Sequence, residues 1–224
     1  MCGRFTLTAT PTDIKEAFPD VEVPADLAPR FNIAPSQNVA VIANTGVSRI
    51  ELYRWGLIPC WAKDPAIGDR LINARAETLA EKPSFARVYR RRRCLVLADG
   101  FYEWKQEPGT RPKTPMYVRL ASGRPFAFAG LWDVWEPPEG EPVFSCAIVT
   151  TAPNALMQVI HNRMPVILAP EVYRRWLEPA EVAPDRLNDL LVPFPADAMT
   201  AYPVSRFVNR PQNEGPGCIA SASP

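Results

Sequence analysis

The chain has 224 residues, of which 47% are hydrophobic, 10% aromatic and 22% charged. This is enough chain to bury a sizeable core, and the balance excludes a disordered chain, a collagen-like repeat and a coiled coil. Net charge is only +1, which argues against a strongly basic nucleic-acid binder, yet residues 1–130 carry 19 Lys+Arg against 13 Asp+Glu while residues 131–224 carry 6 against 11. That division fits an anionic ligand on one face, or charge that is merely solvated.

Proline is the anomaly, at 26 residues. It breaks helices and suits only strand edges, so short elements and ordered loop are expected. Phe5 and Leu7 alternate as a strand beginning, and a helix is predicted over Thr12–Phe18 with Thr12 as its cap. Strands follow at 39–43 and 50–55, then helices at 75–81 and 84–92. The strand 94–98 runs into an Asp99-Gly100 turn. Further strands are predicted at 116–120, 126–130, 143–150 and 165–168, and helices at 171–177 and 184–191. Strands and helices do not interleave, which predicts an α+β fold: one domain over 1–224, built on a curved, mainly antiparallel sheet. From Pro211 the chain is rich in Gly, Pro and Ser, and about 218–224 is expected to be a flexible tail. The start of the chain lacks a signal-peptide pattern, and no apolar run approaches the ~20 residues of a membrane span. Five cysteines without a CxxC pair, and a single histidine, argue against a structural zinc site. A reduced, cytoplasmic, monomeric protein without metal or cofactor is expected.

Cys2 is the first candidate for chemistry. Removal of Met1 leaves an α-amine beside a thiol, with ordinary pKa values of about 8 and about 8.5, so part of each is nucleophilic at neutral pH. Such a 1,2-aminothiol condenses with an aldehyde to an imine, which the thiol closes to a thiazolidine. Alternatively, an N-terminal nucleophile attacks an amide; or a cysteine at position 2 is chance. In a strand Arg4 would share a face with Cys2, where its guanidinium favours thiolate or binds phosphate.

Asn73, in the stretch 71–79, is either a helix cap or an amide that orients an amine or carbonyl. Arg75 is either a surface helix residue or a phosphate clamp, and Glu77 fits helix support better than chemistry. Glu103 lies among Phe101, Tyr102 and Trp104. It is either a surface hairpin residue or a desolvated carboxyl suited to acid–base work. Trp104 is core or a platform for a base. His161, in a His-Asn-Arg insertion between apolar runs, is structural or a proton shuttle. Arg90 to Arg93 form a run of four arginines that is at least partly solvated. Trp55 and Trp61 flank a proline turn and serve packing or stacking. Cys60, Cys94 and Cys146 sit in apolar settings and are expected to be buried and inert.

Taken together, MCGRF, RFNIAPSQ (30–37), WGLIPCWA (55–62), INARAET, RRCLVLADGFYEW (92–104), FAGLWDVW (128–135), IVTTAPN (148–154), IHNRMPVIL and PVSRFVNRPQNEGPG (203–217) resemble the SOS response-associated peptidase (SRAP) family along nearly the whole chain. The resemblance implies a single domain with a barrel-like core and flanking short helices. It implies that Cys2 crosslinks to abasic sites in single-stranded DNA as a thiazolidine, with Asn73, Glu103 and His161 completing the active site. Arg4 and Arg75 match its phosphate contacts, Pro35 and Trp104 its wedge beside the lesion, and Trp61 is placed with the DNA-binding residues. Lyase activity through the imine and autoproteolytic removal of Met1 are further expectations. So is nucleoid association when the protein is bound to damaged DNA. The rival readings are an N-terminal-nucleophile cysteine peptidase and a plain nucleic-acid-binding module.

Overall fold

Prolines open one short element after another: α1 (Pro11–Ala17) and the 3-10 turns at Pro65–Arg70, Pro170–Val172, Pro184–Arg186 and Pro216–Cys218 all begin on one. The fixed φ of proline suits a first helical position, where no N–H is needed. For the same reason the cap of α1 is Thr10, one residue before Pro11, and not Thr12. The Thr10 hydroxyl accepts from the Asp13 amide at 3.2 Å and Asp13 accepts from the Thr10 amide at 2.9 Å, a capping box.

The computed structural model describes residues 2–107, 109 and 112–222. Its strands are β1 (Phe5–Leu7), β2 (Arg30–Ile33), β3 (Asn38–Ala43), β4 (Glu51–Trp55), β5 (Asn73–Arg75), β6 (Arg93–Ala98), β7 (Gly100–Lys105), β8 (Thr114–Leu120), β9 (Phe126–Trp135), β10 (Val143–Thr151), β11 (Met164–Pro165), β12 (Ile167–Leu168) and β13 (Met199–Pro203). The helices α2 (Ala86–Arg91) and α3 (Tyr173–Trp176) pack outside them. In one sheet β10, β4, β3, β6 and β9 follow in order, and β9 pairs back onto β10, so five strands close into a barrel. Within this ring only β10–β4 is parallel. β5 lies parallel to β10, with Asn73 opposite Ile148 and Arg75 opposite Thr150. The second sheet has the order β13-β8-β7-β1-β2 and is antiparallel. The predicted α+β class and curved, mainly antiparallel sheet are what the chain forms.

One residue carries the chain between the sheets. Asp99 stands between the end of β6 at Ala98 and the start of β7 at Gly100. Its buried carboxylate accepts from the Thr6 and Thr8 hydroxyls and from the amides of Thr8 and Ala9. The predicted turn is thus a bend pinned to β1, and β7 continues as a strand. No side chain fits at Gly100, where a Cβ would lie 2.2 Å from the Tyr117 hydroxyl. Between the sheets Phe5 meets Trp55 and Phe128 edge-on, with ring centres 5.0 and 5.7 Å apart, and Phe101 also meets Phe128. This aromatic cluster fixes β1, and with it the residues just before it. Trp55 is wholly buried here, so packing is its role and stacking on a base is not.

Several local expectations give way to tertiary context. The predicted helix 75–81 is instead the end of β5 and a 3-10 turn, Ala76–Thr78. Residues 184–191 form two 3-10 turns. Of the four consecutive arginines, Arg90 and Arg91 lie on the surface, as expected of part of the run, and the other two are structural. Arg93 is fully buried and donates to the carbonyls of Trp176 at 2.8 Å, Tyr89 at 3.2 Å, Arg90 and Glu178. Arg92 pairs with Asp133 and lies over the Trp132 ring, and Arg91 pairs with Glu181. Cys60 is exposed, with Arg87 Nη2 donating to its sulfur at 3.1 Å, contrary to the expected burial. The chain after 217 is not loose through residue 222: Cys218 is buried, Ser221 bridges to Val204, and the Ala222 amide donates to Pro203. Residues 223 and 224 lie outside the described residues. No helix among the described residues is long and apolar enough to cross a membrane.

Arg93→Met keeps the volume but leaves several buried carbonyls without donors. A loss of at least ~2 kcal/mol in unfolding free energy is expected, read from urea denaturation.

Candidate active site around Cys2

The aromatic anchor at Phe5 holds Cys2 fully buried at the lip between the sheets. Its backbone carbonyl accepts from Asn73 Nδ2 at 2.8 Å, so β5 grips the start of the chain. The other end of the same amide, Asn73 Oδ1, is buried and finds no donor among the described residues. A buried acceptor left unpaired costs about 1–3 kcal/mol, so something must repay its retention.

Glu103 sits on β7 opposite Met116, with only 3% of its surface exposed. Burial pushes its carboxyl above the ordinary range, with the nearby His161 pulling the other way. The Cys2 thiol is pushed up strongly, first by burial and then by the negative charge of Glu103. Cys2, Asn73, Glu103 and His161 are therefore linked one to the next, although they come from four separate stretches of sequence. The imidazole sits in the turn after the 155–160 loop, where its amide donates to Met157 at 2.8 Å and Nδ1 accepts from the Arg163 amide at 3.1 Å.

Arg4 does not stand beside the thiol. Its guanidinium turns the other way, donating to Asn32 Oδ1 at 2.7 Å and Val208 O at 2.9 Å, and lies 5.8 Å from the centre of the Trp104 ring. Arg4 is thus not placed to favour a thiolate, and burial pushes the Cys2 thiol up. Asn32, which the sequence did not single out, is fully buried and organises this corner: its Nδ2 donates to the carbonyls of Val208, Arg210 and Asn213. Trp104 donates from Nε1 to Asn209 Oδ1 at 2.8 Å and is partly exposed. Arg75, at the end of β5, points to solvent two residues beyond Asn73. Pro35 is half-buried between β2 and β3, next to Ser36, whose φ is +70°. Trp61 is 55% exposed on the turn after Pro59. Among the described residues no hydrogen bond, ion pair or ring contact joins Pro35 or Trp61 to the Cys2 cluster.

A closed barrel, a second sheet laid against it, and a buried cysteine at residue 2 whose carbonyl is held by Asn73, just ahead of the first strand, are the features that set this chain apart. The chain belongs to the SOS response associated peptidase (SRAP) family, whose model matches residues 1–211. It is 52% identical over 225 residues to the abasic site processing protein YoqW of Bacillus subtilis (strain 168), an alignment covering 99% of this chain and 100% of that one. It is 32% identical over 272 residues to the abasic site processing protein HMCES of Rattus norvegicus, covering 99% of this chain and 76% of that one. A crystal structure of a Bacteroides thetaiotaomicron protein superposes with a TM-score of 0.88 at 27% identity, covering 99% of this chain and 100% of that one.

Proposed function

We propose that the protein processes abasic sites in single-stranded DNA by forming a thiazolidine crosslink through Cys2 once Met1 has been removed. The observation that carries this reading is the Asn73 amide. It holds the Cys2 carbonyl with Nδ2 and keeps Oδ1 buried beside the same residue with no donor. A freed α-amine at Cys2 is the N–H donor such an acceptor calls for. The names of the relatives, abasic site processing proteins, point the same way.

The chemistry follows from the groups present. An abasic deoxyribose is mostly a closed hemiacetal, and Glu103, desolvated and shifted up, moves the proton that opens it to the aldehyde. The Cys2 amine adds to C1′, water leaves, and an imine forms. The thiol then adds across the C=N bond: sulfur bonds to carbon and the thiol proton goes to nitrogen. His161 assists proton transfer at the ring oxygen or the imine. The imine also activates β-elimination of the 3′ phosphate, so lyase activity competes with thiol closure.

Arg75 serves the phosphates. Arg75→Ala is expected to weaken binding of intact and abasic strands alike, and to lower the slope of log affinity against log salt by about 1. Fluorescence anisotropy over a salt series reads both.

Intact mass after incubation with abasic single-stranded DNA tests the whole reading. The expected product is protein lacking Met1 plus DNA minus one water. Turnover of peptides with no DNA adduct favours the peptidase, and equal crosslinking by a protein blocked at its amino terminus removes the amine mechanism.

A further inference from the structure

Polar contacts around the single histidine are organised by an ion pair that the scheme above leaves unused. Arg163 Nη1 and Nη2 donate to the two oxygens of Glu77 at 2.6 and 2.9 Å. Nη2 also donates to the Thr150 carbonyl at 2.6 Å, at the register position where β5 ends. The Arg163 side chain is largely buried by these partners. A fork paired with a carboxylate at two points has little freedom to swing. The hydrogen bond from Arg163 holds the Glu77 carboxyl below its ordinary range, so the pair persists through neutral pH.

What the clamp fixes is the Arg163 peptide, and this peptide meets His161. Its N–H lies 3.1 Å from Nδ1 and its carbonyl oxygen 3.3 Å from the same atom. The two contacts demand opposite roles of Nδ1, so they belong to different protonation or tautomeric states. In the neutral ring with its proton on Nε2, Nδ1 accepts from the N–H. In the charged ring Nδ1–H donates to the carbonyl. Neither state requires the ring to rotate. Among the described residues, further charges near this assembly include Glu103 on β7 and Arg75 beside Glu77.

We propose that Glu77 and Arg163 are positioning residues for His161: their ion pair, anchored on the Thr150 carbonyl, presents the Arg163 peptide to Nδ1, so the imidazole exchanges a proton at Nε2 without turning. The consequence for the reaction rests on the abasic-site reading; the geometry does not.

His161 is the only histidine in the chain, so ring-15N-histidine NMR reports on it alone. The parent is expected to show the neutral tautomer with the proton on Nε2. In Glu77→Gln and Arg163→Met both ring signals are expected to move toward the average of the two tautomers, and the ring's titration midpoint to shift. Arg163→Lys keeps one charged donor and is expected to recover part of the parent signal. On abasic single-stranded DNA the pH profile of crosslinking is expected to move with the ring titration. The rate should fall roughly tenfold, a fraction of the ~10²–10⁴ that a positioned acid–base group supplies. Glu77 is half-exposed, so its Gln variant folds, and a thermal midpoint within a few degrees of the parent's separates positioning from unfolding. Ring signals and pH profile that superimpose on the parent's in both variants overturn the proposal. So does a rate loss that merely tracks thermal stability. A parent protein that forms no DNA adduct defeats the abasic-site reading, while the ring signals still decide the clamp.

Discussion

Glu103→Gln is expected to form the abasic-DNA adduct roughly 10²- to 10⁴-fold more slowly than the parent, the usual contribution of a well-placed acid–base group. Gln has the same shape and cannot carry the proton, so the loss should appear at every pH and not only at one end of the profile. The environment explains why a carboxyl is used here at all. At 3% exposure on β7 its charged form is poorly solvated, and its pKa is raised. Raising the pKa brings the carboxyl closer to the working range of a group that must both accept and return a proton. The same shift has a stability signature. Because the folded pKa lies above the unfolded one, the protonated carboxyl adds stability below the ordinary carboxylate range, near pH 4. That stability drains away as pH rises through the raised folded value. Glu103→Gln is fixed neutral, so its advantage over the parent should grow across this window. Urea denaturation of both proteins at several pH values checks it. A folded Gln variant that crosslinks at the parent rate rejects Glu103 as the proton carrier.

The candidate site is legible in the sequence where residue type alone restricts chemistry. A second-position cysteine, a carboxyl among aromatics and a lone histidine are unusual enough to be noticed without a fold. The strands with alternating or β-branched runs, such as β3, β6 and β10, were legible for the same reason: their patterning is local. What could not be read was decided by partners far along the chain. Residues 73–75 look like a helix start, yet pairing with Ile148, Val149 and Thr150 makes them a strand and turns Asn73 toward Cys2. Asn32 lies within RFNIAPSQ but gains its meaning from carbonyls more than 170 residues away. Strand alternation puts Arg4 on the Cys2 face, whereas Arg4 precedes β1 and its side chain goes to Asn32 and Val208 instead. Glu77 fits helix support because its neighbours suggest a helix. Its actual partner, Arg163, arrives from a loop 86 residues later.

Cys2→Ala is expected to abolish the durable adduct while sparing the first covalent step. Alanine at position 2 still exposes an α-amine after Met1 is removed, so condensation with the aldehyde remains possible. What is lost is the sulfur that adds to the imine carbon. The imine therefore accumulates, hydrolyses, or loses the 3′ phosphate by β-elimination. Borohydride should trap a protein–DNA species from the variant, denaturing gels without borohydride should show none, and strand cleavage should rise relative to the parent. The buried setting of the thiol sharpens the contrast. Burial and then the Glu103 charge push the thiol well above its ordinary range, so closure passes its proton to the nitrogen as sulfur attacks. Parent crosslinking should accordingly be insensitive to small thiol reagents that modify the exposed Cys60. Fold is not at issue, since Phe5 and its ring contacts with Trp55 and Phe128 anchor β1 independently of the sulfur. The loss of a buried sulfur costs about 1–2 kcal/mol at most. A Cys2→Ala protein that still gives a borohydride-independent, denaturation-resistant adduct would place the covalent bond on another residue and end the thiazolidine reading.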